Sequence, residues 1–217
     1  MKISANILSK SALQLPRKFK SACLRRDDYL ARVISLELEY LAEEVPEPNS
    51  DQARAFIKRS LNDERLDRQT MSIQLPDQLV EHLDDTCKKK NIPRDAFLNR
   101  LLFMLAAPPK TIDQIFFADF ADWRTEVWSE GKNEGPFFEN VLYPLEQKID
   151  PFWAIRYGLE LKKQRWKNRT SNFYTTQLDD GLGANLYGLN CYLPDHSIPG
   201  SPEKRKFLAE LDALLGL

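Results

Sequence analysis

The stretch from Thr70 to Leu105, TMSIQLPDQLVEHLDDTCKKKNIPRDAFLNRLLFML, constrains this chain most, because three periodicities follow one another within it. Met71, Ile73 and Leu75 alternate with Thr70, Ser72 and Gln74, the period of two that gives a strand one apolar and one polar face. Pro76 stops that strand. Leu79, Leu83 and Cys87 then recur every fourth residue with Val80 beside them, which predicts a helix of about three turns with one stripe on a core. Asn91 suits the end of that helix because it tolerates left-handed backbone, and Pro93 suits the first turn of the next. Phe97, Leu98, Leu101, Leu102 and Leu105 give the second helix a wider apolar face.

This order of strand, helix and helix, with LP closing the strand and PRDAFLNRLL opening the second helix, resembles the ribbon-helix-helix family of bacterial DNA-binding proteins, which includes the Arc and Met repressors. In that family two strands pair antiparallel into a ribbon that enters the major groove. The resemblance therefore implies that Thr70, Ser72 and Gln74 read base edges. It also implies that the start of the second helix, near Arg94, holds a phosphate at the positive end of a helix dipole.

A second copy of these signals lies between residues 11 and 41. LQLP at 13–16 matches IQLP at 73–76, and RDDYLAR at 26–32 matches RDAFLNR at 94–100. The two offsets, 60 and 68, differ by eight residues, so the first helix of the earlier copy is expected to be about two turns shorter or bent. Two anchors in the same order argue for duplication. Members of the family normally dimerise, since one copy leaves a strand edge unpaired, and two copies in one chain can satisfy each other. The predicted ribbon sets Lys10, Ala12 and Gln14 beside Thr70, Ser72 and Gln74 and reads an asymmetric site. Gln14 and Gln74 are the best candidates for base readout, since glutamine pairs bidentately with adenine N6 and N7. Phosphate contacts are assigned to Lys18, Arg26 and Arg94.

The fold expected is α+β and helix-rich: a tandem ribbon-helix-helix amino-terminal half with a smaller α+β carboxyl-terminal region. Its parts are a first repeat at 1–45, a charged helical linker at 46–69, a second repeat at 70–109 and an α+β region at 110–217. In the linker, Asn49 or Ser50 caps a helix from about Asp51 to Leu61, with Arg54, Lys58 and Arg65 as further candidates for DNA backbone. Pro108 and Pro109 mark the hinge to the last region.

A net charge of −1 is not what a nucleic-acid binder usually shows, but the charge is unevenly spread. Residues 1–32 hold 8 Lys+Arg and 2 Asp+Glu. Positive potential near the amino terminus can steer the chain toward phosphates. Cys23, Cys87 and Cys191 show no CxxC or Cys/His spacing, so no metal, cofactor or disulfide framework is expected. The longest apolar run, Leu101 to Ala107, is too short to span a bilayer and no membrane partner is expected. The expected compartment is the cytoplasm, in association with the nucleoid.

Beyond Pro109, Phe116, Phe117, Phe120, Trp123, Val127 and Trp128 form an aromatic face, read first as packing and second as a surface for a protein partner. Asp150 and Pro151 open a helix that runs through Trp153, Ile155, Leu159 and Leu161 into the basic end KKQRWKNR. There Lys162, Lys163, Arg165, Lys167 and Arg169 complement the helix dipole or make auxiliary phosphate contacts. Phe173–Leu178 and Ala184–Leu193 flank DDGLG as a hairpin, and a last helix starts at Ser201. His82, His196 and the turn acids Asp179, Asp180 and Asp195 form no convincing catalytic set, so no enzyme is expected. The sequence thus points to a sequence-specific transcriptional regulator binding double-stranded DNA, as an intramolecular pair or as a homodimer. The competing reading is an interaction module, such as an antitoxin, that sequesters a partner through its carboxyl-terminal half.

Overall fold

Ile3, Ala5 and Ile7 alternate with Lys2, Ser4 and Asn6, and this alternation forms the first strand, β1 (Lys2–Leu8). The computed structural model describes residues 1–62, 67–127, 150–166, 172–176, 178–179 and 185–186. Three helices follow β1: α1 (Ser9–Ser21), α2 (Arg26–Glu44) and α3 (Asp51–Leu61). The next elements are β2 (Arg68–Gln74), α4 (Asp77–Lys89), α5 (Arg94–Ala106) and α6 (Pro109–Phe117). Later come α7 (Trp153–Arg165) and two short strands, β3 (Leu178–Asp179) and β4 (Asn185–Leu186), which pair antiparallel. The protein is α+β and helix-rich.

The expected first strand at Lys10, Ala12 and Gln14 is helical instead. Ser11, Leu15 and Phe19 are buried at a spacing of four, so this segment lays a helical stripe on the core and forms α1. Pro16 sits inside α1 and is exposed, where its missing N–H leaves the Ala12 carbonyl without its helical donor. The LQLP anchor was therefore a coincidence of four residues. With it goes the shortened helix, because α1 and α4 are both 13 residues long.

The order strand, helix, helix does occur twice. Ser9 and Asp77 begin the first helices, Arg26 and Arg94 begin the second, and both pairs are 68 residues apart. The turns between the helices agree bond for bond. Cys23 and Asn91, also 68 apart, both have φ 53°. In the first turn Leu24 N–H donates to Phe19 O at 3.0 Å and Cys23 N–H to Lys20 O at 3.2 Å. In the second, Ile92 N–H donates to Cys87 O at 2.8 Å and Asn91 N–H to Lys88 O at 3.1 Å. Each is the paired closure that ends a helix through one left-handed residue and satisfies its last carbonyls.

β1 and β2 pair antiparallel, with Lys2 opposite Gln74, Ser4 opposite Ser72 and Asn6 opposite Thr70. Ile3, Ala5, Ile7, Met71 and Ile73 face one core shared with Leu30, Val33, Ile34 and Leu38 of α2 and Leu98, Leu101 and Leu102 of α5. The outer backbone edges are closed by helices. On β1, Asn99 of α5 donates to Asn6 O at 2.7 Å and accepts from Leu8 N–H at 3.1 Å. On β2, Arg26 donates to Ser72 O at 3.0 Å and Asp27 accepts from Gln74 N–H at 3.2 Å. An unpaired edge is a template for another strand, and both edges here are occupied by side chains at these positions.

α5 is the central helix, buried from Ala96 through Met104 on every face, because α1, α3 and α4 and the later segments surround it. In α3, Ser50 Oγ accepts from Ala53 N–H at 3.0 Å. Phe116, Phe117, Phe120, Trp123 and Val127 are buried, so the aromatic face is packing. Phe117 and Trp123 stack at 3.9 Å between centroids, and Gly158 of α7 lies so close that a Cβ there would meet Trp123 at 2.8 Å.

The later segments dock on α2 and α5 through buried charge. Arg156 forks onto Glu37 at 2.9 and 2.6 Å, reaches Glu44 at 3.0 Å, and lies over the Tyr40 ring. Tyr174 adds a hydrogen bond to Glu37 at 2.5 Å, and Arg100, fully buried, donates to Phe173 O. Burial pushes the Glu37 carboxyl up, opposed by Arg156 and Tyr174. Residues 173–176 form a turn where a strand was expected, and among the described residues 178–179 pair with 185–186. Arg65, Trp128, Lys167, Arg169, Asp180, Asp195, His196, the strand residues to Leu193 and the helix from Ser201 lie outside the described residues.

Candidate nucleic-acid interface

The inner residues of the ribbon are held by the core, and the pleat then turns their neighbours outward. That outer face carries Lys2, Ser4 and Asn6 from β1 and Thr70, Ser72 and Gln74 from β2. All are exposed except Ser72, which is half-buried beside Arg26. Thr70 Oγ1 donates to Asn6 Oδ1 at 3.0 Å, which fixes the Asn6 amide with its N–H groups available as donors. The face thus offers one cation, two amides and three hydroxyls on a flat two-stranded platform, and no apolar side chain.

Of the six residues expected on this face, Thr70, Ser72 and Gln74 are there, and Lys10, Ala12 and Gln14 are not. All three of the latter lie on α1: Ala12 packs half-buried against the core, and Gln14 sits half-buried near Phe103 and Ala107. Their places are taken by Lys2, Ser4 and Asn6. The alternation of Ile3, Ala5 and Ile7 is the signal that finds them.

The residues assigned to phosphate are differently occupied. Lys18 Nζ donates to Leu105 O at 3.0 Å and Ala107 O at 3.1 Å, so it closes the carboxyl end of α5, away from the ribbon-side start at Arg94. Burial lowers its pKa. Arg26 is spent on the Ser72 carbonyl and on Asp27 at 2.6 Å, and this pairing with Arg26 holds the Asp27 carboxyl below its usual range. Arg94 pairs with Asp84 at 3.1 Å and stands at the start of α5. In the basic stretch of α7, Lys162 is buried on Asp119 and the Phe116 carbonyl, Lys163 pairs with Glu160, and Arg165 with Glu126. Those three charges take part in packing and surface ion pairs.

His82 is exposed on α4 with no acid–base partner within hydrogen-bonding reach among the described residues. Among the described residues no group of three His, Cys, Asp or Glu is placed to hold a metal ion, and no described helix is long and apolar enough to cross a membrane. No family model, no curated protein and no solved structure matches this chain, so a family reading stands on the residues and their geometry alone.

Proposed function

We propose that residues 1–106 are a ribbon-helix-helix pair folded within one chain, and that the protein is a sequence-specific DNA-binding regulator whose β1–β2 ribbon enters the major groove. One observation carries the reading: an antiparallel ribbon with an all-polar exposed face, backed by an apolar face locked in a helical core. A two-stranded ribbon fits the width of the major groove, and its side chains match base edges. Asn6 and Gln74 have the amides that pair with adenine, and Lys2 the ammonium that pairs with guanine O6 and N7. Opposite positions differ chemically, Lys2 against Gln74 and Asn6 against Thr70, so the site read is asymmetric. The repeated turns at Cys23 and Asn91 support a duplicated origin for the two halves. A cytoplasmic location, in association with the nucleoid, goes with this reading.

The test is selection of duplexes from a random-sequence pool with the full chain. Retained duplexes should bind with affinity that falls steeply with salt, as counterion release requires. Gln74→Ala and Asn6→Ala should each relax preference at one base pair, by about 1–3 kcal/mol, and leave non-specific binding nearly unchanged. Gln14→Ala should change nothing. Unaltered preference in both Asn6→Ala and Gln74→Ala refutes the ribbon as the reading surface.

A further inference from the structure

A cavity of about 290 Å³ opens between α3, the start of α5 and the outer end of the ribbon. Arg54 and Lys58 of α3, Arg68 at the first position of β2, and Arg94 supply cations to it, against the carboxylates of Asp84 and Asp95. Asp84 is already committed to Arg94 at 3.1 Å. Arg54 and Lys58 are both exposed and have no side-chain partner among the described residues. Arg68 uses Nη1 on Asn62 at 3.2 Å, and its buried Nε has no hydrogen-bond partner among the described residues. Asn6, one of the ribbon's outward amides, lies on the rim.

An excess of guanidinium and ammonium groups around a concave site calls for an anion with several acceptor oxygens, and phosphate suits both the charge and the forked geometry. The volume exceeds one phosphate group and leaves room for its ester atoms. The other half of the duplication lacks this arrangement. At the start of α2 the corresponding arginine, Arg26, is turned onto Asp27 and the Ser72 carbonyl. The connector helix that brings Arg54 and Lys58 lies on one side only.

We propose that this cavity is a phosphate-binding site, built by α3 on one side of the ribbon, and that it takes a DNA backbone phosphate so that the ribbon lies in the groove in a single orientation. The orientation rests on the DNA reading above; the affinity for phosphate does not.

Two arms test it with the full chain, its Arg54→Ala/Lys58→Ala variant, and an Arg17→Ala/Lys20→Ala control, all at exposed positions. Without DNA, inorganic pyrophosphate is titrated and its phosphorus NMR line width followed. Saturable broadening is expected, weakened about tenfold or more by the α3 substitutions and retained by the control. Equal broadening in the two variants overturns the site. With a duplex selected from a random pool, each flanking phosphate is replaced in turn by a neutral methylphosphonate. Replacement beside one end of the ribbon should weaken wild-type binding about tenfold, replacement at the other end much less, and the α3 variant should lose this difference. Equal sensitivity at both ends, with base preference intact, overturns the one-sided clamp while the ribbon reading stands. Pyrophosphate binding without retention of any duplex overturns the backbone assignment and leaves a free phosphate ester as the ligand.

Discussion

Cys23 holds a backbone conformation, φ 53°, in which a Cβ crowds the following carbonyl and which glycine adopts freely. Its counterpart, Asn91, has the same φ and offsets that cost by donating hydrogen bonds from its amide to Asn49 O and Asp51 Oδ1 at 2.9 Å each. Cys23→Gly should therefore raise stability by about 1 kcal/mol, read as a higher urea midpoint, while Cys23→Ala should not. The other thiol behaves oppositely. Burial pushes Cys87 from 9.0 up to about 12, so its protonated form is favoured by folding. That contribution is fully present below pH 9 and is lost as pH rises toward about 12. Tyr29, raised to about 12 chiefly by burial, adds to the same loss. Denaturation midpoints should fall through this alkaline range, and alkylation at pH 8 should label Cys23 and spare Cys87. The turn at Asn91 was legible, because asparagine followed by Ile-Pro is a helix-end signal. Cys23 was not, because cysteine carries no preference for left-handed backbone, and only the repeat identifies it.

Among the elements, the ribbon depends on side chains from helices that the sequence separates from it by many residues. Asn99→Leu strips the Asn6 carbonyl and the buried Leu8 N–H of their partner, and should cost about 1–3 kcal/mol in denaturant titrations. Amide exchange at Leu8 should accelerate with it. α7 has an equally local requirement. Alanine normally favours a helix over glycine by about 1 kcal/mol, yet Gly158→Ala should destabilise the protein, because its Cβ would drive into Phe117 and Trp123. A lower thermal midpoint is the expected result. At this scale β2, α4 and α5 were readable, since each has one dominant periodicity ended by a proline or a cap. α1 was misread because the tetrapeptide LQLP mimics the end of β2. The longer spacing separates the two segments: Ser11, Leu15 and Phe19 recur at four, whereas Ile3, Ala5 and Ile7 recur at two. A repeat anchored on helix starts, Arg26 and Arg94, carries its register through the whole copy; an anchor on four residues ending in proline does not.

At the scale of the molecule, the described parts of the second half are clipped to the first by the Glu37–Arg156–Tyr174 cluster. Glu37 has no solvent exposure, so its removal leaves a guanidinium in low dielectric with less to balance it. Glu37→Ala should cost about 3 kcal/mol, the lower end for a broken buried pair, because Arg156 keeps Glu44. Glu37→Gln should cost less, and urea titration of the full chain distinguishes them. No periodicity announces this contact, since its members are 119 and 137 residues apart and each looks like an ordinary surface residue of its own helix or turn. The two strands of the ribbon belong to one polypeptide. A ribbon assembled from separate chains comes apart when its concentration falls below the dissociation constant, and its occupancy of a site then varies with the square of copy number. Here the strands are tethered and cannot be diluted apart. On the proposed DNA-binding reading, formation of the ribbon would set no concentration threshold, even in a cell holding a handful of these molecules.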